Sequence, residues 1–347
     1  MNKRKLHIVI SIWGILFTMP IITACSDENI LESTDGKDIP IMLSSAGVAT
    51  EIGTRSYYAD AYNTELPGSE LIDVFIYDQN STDISISQST DQETAHNWVY
   101  QTVGSANGGK SSLALVPSEM NNYSKTPKYP NVGNDPSTHV SIFAIYPHKS
   151  GITPSTDSYT FSVSDTQTTE EAITGGDLMA HTITQYTATD CENNIELTLR
   201  HKMAKVKVTF TPAGDLTAAN MPTTFKVLNV YRTVTITPST GTISKGNADL
   251  TSTSAPLTAL SDQAFFIPSQ TVSEELLSFD ILGSGNFNGI TGCSFTPSSD
   301  IEFNENTCYE IEVTVDVDHI TATATITPWV NNDMSDSDFE QTKKIIL

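Results

Sequence analysis

From Ile39 onward the chain is a succession of short runs rich in β-branched and aromatic residues. Among them are "LIDVFIYD" (71–78), "HVSIFAIYP" (139–147), "IELTLRH" (195–201), "MAKVKVTFTP" (203–212), "FKVLNVYRTVTITP" (225–238), "ELLSFDILG" (275–283) and the pair "CYEIEVTVDV" and "HITATATITPW" (308–329). Many alternate apolar and polar positions, the two-residue period of a half-buried strand. In "AKVKVTF", Val206, Val208 and Phe210 fall on one face and Lys205, Lys207 and Thr209 on the other. Clusters of Gly, Pro, Asn, Asp and Ser divide the runs at the spacing of an all-β sandwich. Beyond the signal-like start no stretch sustains a 3.6-residue amphipathic period, so the pattern predicts an all-β, antiparallel protein.

The polar stretch "ITQYTATDCENN" (183–194) marks the expected boundary between two units, residues 56–188 and 189–347. A mature chain of about 320 residues is long enough for two ordinary cores. Residues 78–97 and 118–138 read as long surface loops. Residues 25–55 read as a linker (26–38) followed by a first strand.

The front end, "MNKRKLHIVISIWGILFTMPIITAC", has three positive charges, an apolar run and small residues before a cysteine, which is the layout of a secretory signal over residues 1–24. Leu6 to Ala24 would nearly span a bilayer as a helix, so an uncleaved anchor is the alternative. The ending "ITAC" resembles a bacterial lipobox, which would make Cys25 the lipidated first residue, and "SDEN" behind it looks like the acidic patch of surface-exported Bacteroidota lipoproteins.

The formal net charge is −23, and loss of Lys3, Arg4 and Lys5 with the signal makes it three units more negative. Such a surface repels phosphate backbones, which argues against a nucleic-acid partner. Beyond Cys25 there are three cysteines, Cys191, Cys293 and Cys308, of which Cys293 and Cys308 are candidates for a disulfide between neighbouring strands.

Chemistry-bearing motifs are scarce. The seven histidines are dispersed without HxH or HExxH spacing. His201 reads as a packed or hydrogen-bonded side chain. "GSGNFNG" (283–289) follows no βαβ pattern and reads as a hairpin turn. "DMSDSDFE" (333–340) is oxygen-rich but lacks the glycine and flanking helices of a calcium loop. There is no GxSxG. The residues predict no metal, no cofactor and no catalysis.

In order along the chain, the lipobox ending at Cys25, "IPIML" followed by "GTRSY", "VSIFAIYPHKSG" with "YTFSVSDTQ", "GGDLMAH", "IELTLRHKMAKVKVTF", "AFFIPSQT" and the closing "CYEIEVTVDVDHITATATITPW" together resemble the fimbrillin family of Bacteroidota, the subunits of type V pili, in its Mfa-like branch. The resemblance implies two β-sandwich domains of transthyretin-like, Greek-key type and no enzyme activity. It also implies assembly by strand exchange: a protease cutting after arginine removes the first strand, and a strand from another pilin subunit fills the exposed edge and groove. On this chain the removable strand maps to Ile39, Pro40, Ile41, Met42 and Leu43, and the scissile bond to Arg55 and Ser56. Arg55 is the one Lys or Arg between Lys37 and Lys110, in a small, polar stretch of the kind where proteolysis concentrates. The implied partners are other pilin subunits, an arginine-specific protease, the outer membrane through the precursor's lipid, and a surface glycan or protein bound in adhesion. The final "KKIIL" is short for a donor strand, so a tip or accessory subunit fits as well as a stalk subunit. The competing reading is a non-polymerising surface lipoprotein that binds glycans through Trp98, Tyr100, Tyr123 and Tyr129; the other role for those aromatics is packing.

Overall fold

The computed structural model describes residues 39–48, 51–52, 66, 68–78, 80, 98–106, 110–115, 126–130, 138–150, 158–285, 287–317, 320–328, 330–331 and 343–346. In chain order the elements begin with β1 (Leu43–Val48), β2 (Glu51–Ile52), β3 (Leu71–Tyr77), β4 (Trp98–Ala106), β5 (Lys110–Leu115), β6 (Val140–Tyr146), β7 (Tyr159–Ser162) and β8 (Thr166–Gln167). There follow α1 (Glu170–Thr174), β9 (Met179–Tyr186), α2 (Ala188–Glu192), β10 (Ile195–His201), β11 (Met203–Pro212), β12 (Thr224–Val227), β13 (Thr233–Thr237), β14 (Thr242–Lys245), β15 (Leu257–Leu260) and β16 (Ala264–Pro268). The last are β17 (Gln270–Val272), β18 (Leu277–Ile281), β19 (Ile290–Phe295), β20 (Ile301–Phe303), β21 (Thr307–Val315), β22 (Ile320–Pro328), β23 (Val330–Asn331) and β24 (Lys343–Ile346).

The all-β expectation holds: among the described residues the two α-helices are five residues each, capped by Thr169 and Thr187. Seven strands close into a barrel in the order β1-β10-β9-β6-β3-β4-β5, with β1 joining its two ends. Most ladders are antiparallel; β1 with β10, β11 with β21 and β8 with β15 are parallel.

Alternation explains the barrel wall. On β3, Ile72, Val74 and Ile76 point into the barrel core, while Phe75 and Tyr77 join the other core of the molecule. On β6, Ile142 and Ala144 face inward, and Phe143 and Ile145 outward. Both faces of these strands are covered, which is why "LIDVFIY" and "VSIFAIY" read as nearly unbroken apolar runs.

The second core lies between two five-stranded sheets, β16-β11-β21-β22-β24 and β19-β18-β12-β15-β8. Phe210 of β11 meets Phe225 of β12 at 5.6 Å and Phe279 of β18 at 4.7 Å between ring centroids. The alternation read in β11 holds, with Val206, Val208 and Phe210 buried and Lys207 and Thr209 partly exposed; Lys205 is buried too. The fully buried Gln167 ties the sheets together, its amide donating to the Phe266 carbonyl at 2.8 Å and accepting from the Phe266 N–H at 2.9 Å.

Strands from the two expected units interleave around residue 188. β7 pairs with β13 and β8 with β15, whereas β10 pairs with β9 and β1 in the barrel. The run 225–238 divides into β12 and β13, because the chain turns at Asn229, whose φ is 56°. "GSGNFNG" does connect the antiparallel β18 and β19, with Ser284 bridged to Phe287.

The candidate disulfide is not formed. Cys293 and Cys308 are free thiols, Cys293 on β19 of one five-stranded sheet and Cys308 on β21 of the other.

Candidate functional site

The segment singled out in sequence, Ile39 to Leu43, leads into β1 and lies inside the barrel wall. Ile39, Ile41 and Leu43 are buried in the barrel core, and Pro40 and Met42 are exposed. The strand continues past Leu43 to Val48, further than the residues alone suggested. Its register breaks once. Leu43 pairs with Ile195 but Ser45 with Glu196, so Ser44 is an extra residue without a partner position, and its hydroxyl donates to the Ile195 carbonyl at 3.4 Å. Such a bulge reverses the inward and outward parity of the strand beyond it. Odd positions face inward before Ser44; after it Ala46 and Val48 take over, beside Leu197 and Leu199.

Both sides of this segment are occupied. Ile41 N–H donates to the Pro127 carbonyl at 2.8 Å, and Tyr129 N–H to the Ile39 carbonyl at 2.7 Å. On the opposite side Met42 N–H donates to the Cys191 carbonyl and Ile195 N–H to the Met42 carbonyl. Farther along, β1 is held between β10 in parallel and β5 in antiparallel register. Withdrawal of residues 39–48 would open the barrel, leave unpaired backbone groups on β5 and β10, and uncover the apolar interior. Each of Ile39, Ile41 and Leu43 contributes roughly 1.5–3 kcal/mol by burial.

Across the outer face of β1, the Lys110 ammonium of β5 is ion-paired with the Glu196 carboxylate of β10. Immediately beyond, β2 pairs with β23, Glu51 opposite Asn331 and Ile52 opposite Val330. Cys25, Arg55 and Ser56 lie outside the described residues, as do residues 333–340 and Tyr123. The structure therefore brings together the five predicted strand residues. It adds Ala46, Val48, Lys110 and Glu196, which the residues alone did not single out; the apolar alternation carried on to Val48 through the parity change was the available signal.

Of the aromatics considered for sugar binding, the three that are described, Trp98, Tyr100 and Tyr129, take the packing role. Trp98 and Tyr100 are 1% and 4% exposed on β4 inside the barrel, and burial pushes the Tyr100 phenol pKa up. Tyr129 packs against the same core, donates its hydroxyl to the Thr138 carbonyl, and has its pKa pushed up to about 12 by burial with added repulsion from Cys191 and Asp190. His201 is buried with Nδ1 at 2.7 Å from Asp177 Oδ1, a packed and hydrogen-bonded histidine. Among the described residues no three His, Cys, Asp or Glu side chains could hold a metal ion.

The sequence matches the model of a family described as fimbrillin-like over residues 54–329. Similar solved structures include a candidate cell adhesion protein from Bacteroides uniformis, 16% identical with a TM-score of 0.55, aligned over 86% of this chain and 99% of that one. Another from Bacteroides ovatus is 18% identical with a TM-score of 0.53, over 86% and 100%. No curated protein matches the sequence. At these identities the two structures establish a shared fold.

Proposed function

The chain belongs to the fimbrillin-like family, and on that premise we propose that it is a structural or accessory subunit of an adhesive fimbria at the cell surface, exported as a lipoprotein through Cys25 and assembled by strand exchange. Cleavage between Arg55 and Ser56 by an arginine-specific protease releases residues 25–55, β1 among them. A strand from another subunit then takes its place between β5 and β10.

The observation that carries this reading is the position of β1. The first strand among the described residues is the one that closes the barrel, and it is followed within a few residues by Arg55. One cut there frees an element whose loss exposes both a groove and two strand edges, the two requirements for binding a replacement strand. Such a complex is held by backbone bonds along two edges and by alternate apolar side chains, which fits a fibre that resists dissociation.

The test is replacement of Arg55 by Ala in the native organism. The precursor should fold, since the retained strand fills its own groove, and detergent-resistant ladders on gels run without boiling should disappear. Ladders that persist in Arg55→Ala would contradict cleavage at Arg55 as the trigger.

A further inference from the structure

The outward face of β1 is unusual for an exposed barrel wall. Ser45 and Gly47 point away from the core, since Ala46 and Val48 point into it, yet Ser45 is only 3% exposed and Gly47 is also buried. Their neighbours on β10, Glu196 and Thr198, are exposed. Lys110 lies next to Ser111, which stands opposite Ala46, and Glu196 stands opposite Ser45, so the ion pair from β5 to β10 crosses the strand at the level of Ser45 and Gly47. The two positions beneath it carry Ser, with a short side chain, and Gly, with none. Two residues before the bulge the outer face carries Met42, which is 41% exposed, a long side chain where 45 and 47 carry small residues.

The geometry points to Lys110 and Glu196 as a size filter on whichever strand occupies the gap between β5 and β10. Resting on the reading that β1 is replaced during assembly, the filter defines its partner. The incoming segment runs parallel to β10, places large apolar residues where Ile39, Ile41 and Leu43 sit, shifts parity once, and carries Gly, Ser or Ala at the two outward positions corresponding to Ser45 and Gly47. An exposed ion pair adds little stability by itself. Its role is steric and shielding: a branched or long side chain at either position must displace both charged groups from each other, and a small one lets them close over the strand backbone.

Two measurements test this, one of them independent of exchange. In the intact full chain, Gly47→Leu should lower the denaturation midpoint, and the same substitution in a Lys110→Ala, Glu196→Ala background should lower it by less than half as much. Should Gly47→Leu fail to fold, Ser45→Val serves in the same cycle. An undiminished drop in the double-Ala background overturns the filter.

For exchange, a unique protease site replaces Arg55 and Ser56 in the full chain. After cutting, the protein is incubated with a labelled decapeptide copying residues 39–48, or with the same peptide bearing Ser45→Leu and Gly47→Leu. The native peptide should be captured at least tenfold better, and the ratio should fall below about threefold in the double-Ala chain. Equal capture overturns the filter, whereas capture of neither peptide overturns strand replacement and leaves the intact-chain cycle to decide the filter.

Discussion

Ala46 of β1 stands opposite Leu197 of β10 in a parallel ladder, and neither side chain has exposed surface. The first strand is therefore wall and core of the barrel at once, and its two faces differ in energy. Ile41, fully buried, should cost about 2–5 kcal/mol when replaced by Ala, the range for truncating a buried aliphatic side chain. Met42→Ala, at an exposed position, should stay within about 0.5 kcal/mol. Urea unfolding of the full chain compares them; equal losses would contradict the assignment of faces.

Much of this architecture was legible in the residues. "IELTLRH" and "MAKVKVTFTP" coincide with β10 and β11 because apolar and polar residues alternate along most of their length, with turn-forming residues before the first and after the second. The partnership of β1 with β10 was not legible. The ladder links residues about 150 positions apart, and parallel pairing leaves no hairpin signature between the strands. The ion pair of Lys110 with Glu196 has the same origin, two residues brought together by barrel closure alone. Trp98 and Tyr100 were legible only as loop residues, because the polar stretch before them masked the start of β4; of the two roles weighed for them, packing is the one they take.

The histidine at position 181 gives the fold a pH dependence. Its ring is buried on β9, with Nδ1 at 3.1 Å from both the amide nitrogen and the carbonyl oxygen of Thr198 and Nε2 at 3.2 Å from the Tyr186 hydroxyl. Burial lowers its pKa below the ordinary 6.5, partly opposed by the bond to Thr198. The unfolded chain thus binds this proton more readily than the folded one, so stability falls as pH drops below about 6.5 and is fully present above it. Unfolding midpoints of the wild type and His181→Asn at pH 7 and pH 5 should show a smaller acid loss in the variant. An identical loss would remove His181 from the account.

The free thiols are directly testable. Alkylation of the denatured protein without reductant should label Cys191, Cys293 and Cys308 alike, since none is bridged. In the native protein Cys293, half-buried, should react first. Cys191 should lag by at least tenfold, because burial and the nearby Asp190 and Glu192 push its thiol up to about 12 and suppress the reactive thiolate. A Cys293 or Cys308 that labels only after reduction would contradict the separation of the two strands.

The central claim is that β1 is a temporary occupant of the barrel, and the N-terminal sequence and intact mass of the protein recovered from the native cell surface test it most directly. The expected result is a chain beginning at Ser56, with residues 39–48 gone and another subunit's strand co-purifying in their place. A chain beginning at lipidated Cys25, with β1 retained in the assembled fimbria, would contradict it.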